Sequence, residues 1–285
     1  MSIHGDRRAT EAVASLADDS LAIEIIVVNT GAGSLRPALH HVLDHIVLVE
    51  GSTPRLPGGT RNLGLAESHG PVIAFLAADC LATPGWAAHR LDAHRTALAV
   101  ASAILPAPAA DGSIPLASWA VHMLVHGRRD PDYPGAGTVR YGVSYRREAF
   151  AYHGAFLEDR LTNEDTEFND RLPAPPAWAP SVVTLHRNPT TFRAALTDSF
   201  RRGVHLHGWM REQSGHATLR AMRRIAGALF YALSMIVRLP AHRRGTLVAA
   251  APLACCLALA QAAGVLSQVG RRSGDEAAPP PVTAG

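Results

Sequence analysis

The run IEIIVV, Ile23 to Val28, is the feature that most restricts how this chain can fold. A nearly continuous β-branched stretch ending at Asn29, Thr30 and Gly31 suits a strand buried on both faces, which is the environment of a parallel sheet. The pattern around it alternates. A helix is expected over 6 to 17 and another over Leu35 to Leu43, then a strand over His45 to Val49, a helix over Thr60 to Ser68 and a strand over Val72 to Leu76. A helix from Pro84 to His94, with Pro84 in its first turn and Thr83 as its cap, leads into a strand over Ala97 to Leu105. This βαβα order with short connections predicts an α/β doubly wound sheet. Further strands are expected within Val139 to Tyr145 and Val182 to Leu185, and an acid-rich helix over Asn163 to Leu172. Pro, Gly and Asp mark 106 to 115 and 128 to 138 as loops.

The last third differs in kind. Ile225 to Val237 and Gly245 to Gly270 carry no charged residue, and they are bracketed by Arg223, Arg224 and Arg238 and by Arg243, Arg244, Arg271 and Arg272. A membrane span takes about 20 apolar residues. The second run is therefore long enough and the first is short. Three readings stand: a membrane hairpin, a re-entrant or surface-lying pair, and helices packed on the preceding domain. The arginines favour an anionic membrane surface or bilayer as partner, and no nucleic-acid partner is expected. The polar N-terminus lacks the apolar core of a signal peptide. Cys80, Cys255 and Cys256 make neither a disulfide framework nor a zinc spacing, so the expected setting is the cytoplasmic face of a membrane. The segments expected are a 1–210 catalytic domain, 211–270 basic apolar helices and a 271–285 disordered tail.

Two stretches carry the chemistry. After the first strand, GAGS superficially matches a dinucleotide-binding turn, but Arg36 occupies the place of its third glycine, which argues against a dehydrogenase. GGTRNLGLAESHGPVIAFLAADCLATPGW, by contrast, matches as one unit the segment of family 2 glycosyltransferases running from an "ARNxG" helix through "FLDaD" to "PGW". The residues that match are Arg61, Asn62, Gly64, Gly70, Ile73, Phe75, Leu76, Asp79, Pro84, Gly85 and Trp86. YGVSYRREAFAYHGAFLEDRLTNEDTEFNDRL resembles a second motif of that family at Gly142, Ser144, Tyr145, Arg146, Arg147, Phe150, Gly154, Phe156, Glu164, Asp165 and Leu172. The resemblance spans roughly 5 to 210. It implies the inverting GT-A fold, a nucleotide-diphosphate sugar donor, a glycan or lipid-linked acceptor, and a divalent metal (Mg or Mn).

Sugar transfer from such a donor needs the departing diphosphate neutralised, by a cation held on a carboxylate, and a base for the acceptor hydroxyl. Asp79 follows a strand's carboxyl end, where ligands bind in open α/β sheets. By the resemblance, Asp165 is the base and Glu164 orients the acceptor or the loop. His186, also after a strand, is either a ligand of metal or diphosphate or a packed histidine. Arg61 either contacts donor phosphates or solvates a helix, and Asn62 and Asn29 fall on the donor side. For the acids at 164 to 167, a plain helix first turn is the competing reading.

The chain departs from the family pattern in three places. Ala77 replaces the first acid of the metal motif, Asn29 stands where an aspartate is usual, and the apolar strand that normally opens the fold is missing. The two functions to separate are therefore an active membrane-associated glycosyltransferase and a glycosyltransferase-like partner or scaffold without turnover.

Overall fold

The computed structural model describes residues 2–3, 6–16, 21–133, 142–160, 163–213 and 216–269. They form two compact units, one of Met1–Pro108 with Arg128–Arg187, the other of Ala109–Gly127 with Asn188–Gly285. The sequence places a boundary near 210; compactness instead groups the helix before it with the C-terminal helices. The expected disordered tail lies outside the described residues.

The first unit carries two sheets. Strands β1 (Ser2–Ile3), β2 (Ile26–Thr30) and β3 (Val47–Gly51) form a parallel sheet in that order, with β2 central. The second sheet is mixed, in the order β4 (Val72–Ile73), β7 (Val143–Arg146), β6 (Ala99–Pro106), β8 (Ala177–His186), β5 (Cys80–Ala82). Only β6 and β8 pair in parallel within it. The helices here are α1 (Arg8–Ala14), α2 (Arg36–Leu39), α3 (Pro57–Glu67), α4 (Trp86–Ala93), α6 (Arg147–His153) and α7 (Glu164–Arg171). The α/β class expected from the alternation is present, with the sheet divided between β2 and β4.

Several elements differ in extent from the sequence pattern. β8 reaches back across Pro180, because the register with β6 jumps from Ser102 opposite Ala179 to Ala103 opposite Val183. A bulge of this kind is where a strand accommodates proline. β4 covers only two of the five residues expected, and Ala74 to Ala77 join no ladder.

The core beside the site is aromatic. Phe150 and Phe168 stack at 4.9 Å between centroids, and Tyr145 meets Phe168 edge-on at 5.0 Å. Both geometries are favoured by ring quadrupoles. Trp86 is buried and donates from Nε1 to Thr184 Oγ1 at 2.9 Å, so it is a core residue.

The second unit is helical: α5 (Leu116–Val121), continued by a π turn over His122–His126, then α8 (Phe192–Gln213), α9 (Ala217–Arg238) and α10 (Ala241–Leu266). α8 and α10 touch backbone to backbone. A Cβ added at Gly203 would lie 1.9 Å from the Gln261 carbonyl oxygen, and one at Gly264 would lie 2.1 Å from that of Phe200. Only glycine permits such an approach. By length and composition alone, α10 qualifies as able to cross a membrane, with a mean hydropathy of 1.9 in its most apolar window.

Candidate functional site

The site starts from α3, whose first turn presses on the loop after α6. A Cβ at Gly58 would come within 1.9 Å of the Leu157 carbonyl oxygen. Asn62 fixes the same loop: its Nδ2 donates to the Phe156 carbonyl at 2.9 Å and to Glu158 Oε1 at 2.9 Å, and its Oδ1 accepts from the Phe156 amide at 3.1 Å. The Asn62 side chain therefore fastens α3 to the loop that leads into α7.

With α3 so held, Arg61 reaches the start of α7. Its Nη1 donates to Glu164 Oε1, and its Nη2 lies 3.9 Å from Asp165 Oδ2. The guanidinium also lies over the rings of Phe75 and Phe156, at 5.7 and 5.4 Å from their centroids. Arg61 thus engages the carboxylate pair and two aromatic faces. Burial pushes the Glu164 carboxyl above the ordinary range; Arg61 opposes that shift and the charge of Asp165 adds to it. Asp165 is better exposed than Glu164, with 15% of its side chain accessible against 6%.

The turn before these acids is strained. Asn163 has φ of 65°, the one non-glycine residue with positive φ among those described. Asparagine tolerates this region better than most residues, and such outliers concentrate at functional sites. Behind the turn, Tyr145 donates to Asn169 Oδ1 at 3.1 Å, which ties α7 to β7.

A second group forms where β5 pairs with the end of β8. Cys80 stands opposite His186 in the register, and the Arg187 amide donates to the Asp79 carbonyl at 2.8 Å. This brings His186 Nε2 within 3.7 Å of Asp79 Oδ2. Candidate ligand atoms of Asp79, Cys80 and His186 lie within 4.8 Å of one another. Burial pushes the Cys80 thiol well up, and the Asp79 charge pushes it further. Hard divalent cations such as magnesium and manganese also prefer oxygen and nitrogen donors to a thiol, which sets Cys80 apart from its two neighbours. One carboxylate and one imidazole remain, a donor set that fits a divalent cation taking its other ligands from phosphate oxygens.

Asn29 is buried and donates to the Gly33 carbonyl at 2.8 Å and to Glu50 Oε1 at 3.3 Å. Glu50, which sequence reading missed, also accepts from the Leu35 amide at 2.8 Å and from Ser34 Oγ at 3.0 Å. Desolvation acts to raise its carboxyl, but these bonds and Arg36 outweigh it and hold the group below its ordinary range. The signal available was its place near the carboxyl end of β3, beside the loop after β2. Sequence reading also missed a buried network under the sheet. Arg90 Nη1 and His94 Nε2 each lie 2.8 Å from Ser144 Oγ, and Arg129 Nε donates to the Ser102 carbonyl at 2.7 Å.

No curated protein matches the chain. Solved structures do. The mannosyltransferase PcManGT of Pyrobaculum calidifontis, in complex with GDP-Man and Mn2+, is 17% identical with a TM-score of 0.52, over 95% of this chain and 75% of that one. The crystal structure of S. aureus TarS 1-349 is 13% identical with a TM-score of 0.48, over 95% and 92%. The former likeness supports the GT-A fold. The model of glycosyl transferase family 2 matches residues 7–154, just over half of the chain, and takes in β2, Arg61 and Asp79. With the fold and the family model in agreement, the chain belongs to glycosyltransferase family 2 and is a glycosyltransferase.

Proposed function

We propose that the protein transfers a sugar from a nucleotide-diphosphate donor to a membrane-proximal or lipid-linked glycan with inversion at the anomeric carbon. The observation that carries this reading is the Arg61 bridge to Glu164 and Asp165, which holds one carboxylate buried and the other more open at the start of α7. Asp165 takes the proton of the acceptor hydroxyl as its oxygen attacks the anomeric carbon. The bond from that carbon to the diphosphate breaks on the opposite face, and the diphosphate departs with the electron pair. Arg61 and Glu164 act as positioning residues that fix the Asp165 carboxylate.

Asp79 and His186 would hold a divalent cation, magnesium or manganese, which when bound neutralises the departing diphosphate. PcManGT, crystallised with GDP-Man and Mn2+, lends support to that pairing of donor and metal. Asn29 and Glu50 order the loop after β2, on the side proposed for the nucleotide. Calorimetry with UDP and GDP, with and without manganese, tests the donor end: binding that requires metal supports the reading, and none with either nucleotide counts against it. A product that keeps the donor's anomeric configuration, read by NMR, would overturn the inversion.

The membrane part of the reading rests on the helical unit. Phe230 and Val237 on α9 are 66% and 71% exposed, and Leu259 on α10 is 71% exposed. Together with the arginines at the helix ends, these faces suit a bilayer containing anionic lipid on its cytoplasmic side, and a role in cell-envelope polysaccharide synthesis follows as the expected setting. Protein that stays wholly soluble at low salt in the presence of anionic vesicles would count against it. Ala77, in place of a second acid, favours the competing role of a non-catalytic partner or scaffold, and a complete lack of nucleotide binding would select it.

A further inference from the structure

Two arginines are sealed into the first unit where the proposed reaction has no use for them. Arg90 and Arg129 are 3% and 0% exposed, although arginine is almost never fully buried without a charged partner. The sheet gathers them on one face. Val100 of β6 stands opposite Ser144 of β7, and alternate residues of a strand share a face, so Ser144 and Ser102 project to the same side. There Arg90 of α4 donates from Nη1 to Ser144 Oγ at 2.8 Å, and His94, four residues on, places Nε2 at 2.8 Å from the same oxygen. Arg129 donates from Nη2 to Ser102 Oγ at 2.8 Å and from Nε to the Ser102 carbonyl at 2.7 Å. Gly142 makes room for it: a Cβ there would lie 2.3 Å from Arg129 Nη1.

These contacts leave the charge of Arg90 unanswered. Its partners are a serine hydroxyl and the face of Trp86, 4.0 Å from the ring centroid, and among the described residues it forms no ion pair with a carboxylate. Its Nε is buried with no hydrogen-bond partner among them. Burial and the charge of Arg129 push the Arg90 guanidinium down to about 9, which still leaves it cationic at neutral pH. A buried cation beside a second one is costly unless an anion lies between them. Room for one is at hand, since Arg90, Ser102, Arg129 and Gly142 all line one cavity of about 570 Å³.

We propose that Arg90 and Arg129 form a binding site for a small monovalent inorganic anion, chloride, which Arg90 Nε and the Arg129 guanidinium hold between them. The cost of stripping water from an ion rises with the square of its charge, so a buried site of this kind disfavours phosphate and sulfate. The anion links α4 to the segment that carries Arg129. It acts on stability and takes no part in sugar transfer, and no residue of the site is one assigned to that reaction.

The test is thermal unfolding of the full chain, without metal or nucleotide, in sodium chloride and in sodium gluconate at one ionic strength of about 0.15 M. The melting temperature should be higher in chloride by at least about 3 °C and should climb as chloride replaces gluconate, as for any ligand of the folded state. In Arg90→Met that difference should vanish. Crystals of the unaltered protein soaked in bromide give a readout that needs no variant, and an anomalous peak within hydrogen-bonding reach of Arg90 Nε and Arg129 is expected. Equal melting temperatures in the two salts overturn the proposal, as does a chloride effect that survives in Arg90→Met. A shift given by phosphate and not by chloride, or a bromide map with only water between the two guanidiniums, overturns it as well. None of these results depends on Asp79 or Asp165, so the proposal and the reaction stand or fall separately.

Discussion

The corner around Asp165 and the corner around Asp79 are built to different standards. At the first, Arg61 is held by two carboxylates and two aromatic faces, on a helix whose neighbour Asn62 makes three hydrogen bonds to the adjoining loop. At the second, Asp79 has a third of its side chain exposed, and His186 Nε2 lies 3.7 Å from its carboxylate. Under the proposed reaction, the contrast means that proton transfer is organised by the fold in advance, whereas the diphosphate end is left for a ligand to complete. Rigid positioning matters most where a proton must move over a short distance, and less where a cation and its phosphates can set their own geometry.

The comparison can be broken at its strongest point. Asp165→Asn keeps the shape and removes the base, so transfer should fall by about 10²- to 10⁴-fold with the melting temperature held, measured as initial rates of donor consumption. A variant within tenfold of the parent would remove Asp165 from the reaction. Next in size, Arg61→Met leaves Glu164 buried without its cation and should lower unfolding free energy by about 3 kcal/mol in urea. A loss under about 1 kcal/mol would mean that the first corner is no better braced than the second.

At the open corner, Asp79→Ala should weaken manganese-dependent binding of UDP or GDP at least about tenfold, roughly 1.4 kcal/mol, while stability barely changes. A large loss of stability there would erase the contrast. The smallest effect concerns acid sensitivity beneath the sheet. Burial, with the charges of Arg90 and Arg146, lowers the pKa of His94 below its ordinary 6.5 against a smaller raising effect of the Ala97 carbonyl. The unfolded chain therefore takes up a proton near pH 6.5 that the folded chain refuses, and stability falls as pH drops below that point. His94→Asn should flatten that slope, by about 1 kcal/mol or less between pH 7 and 5. Urea titrations at the two values would show it.

Most of what sequence reading recovered lies in helices and motifs with local rules. α3, α4, α9 and α10 follow from proline starts, apolar runs and arginine brackets, and Asp79 and Asp165 were named from their motifs. Those motifs could not say that Arg61 would turn to Glu164, since the contact joins residues 103 positions apart. Nor could they show that the Asn62 amide would be taken up by Phe156 and Glu158. The start of β8 is not legible because Pro180 argues against a strand at 177 to 181, while the bulge opposite Ser102 and Ala103 that accommodates it depends on a partner strand. No strand is expected at β5 because three residues carry no period; its pairing with β8 is what brings His186 to Asp79. α5 escaped because Ala117, Ser118, Ala120 and Val121 are all buried, which leaves no polar stripe to betray a helix.

The left-handed turn at Asn163 has a consequence for mutational tolerance. In a saturation library selected for activity, this position should retain glycine and aspartate and lose valine and isoleucine, whose branched Cβ crowds that backbone region. The resulting profile would look like the signature of a reacting side chain. It would instead record the chain's path into α7, and a reader of such a library would have to credit the selection to main-chain geometry.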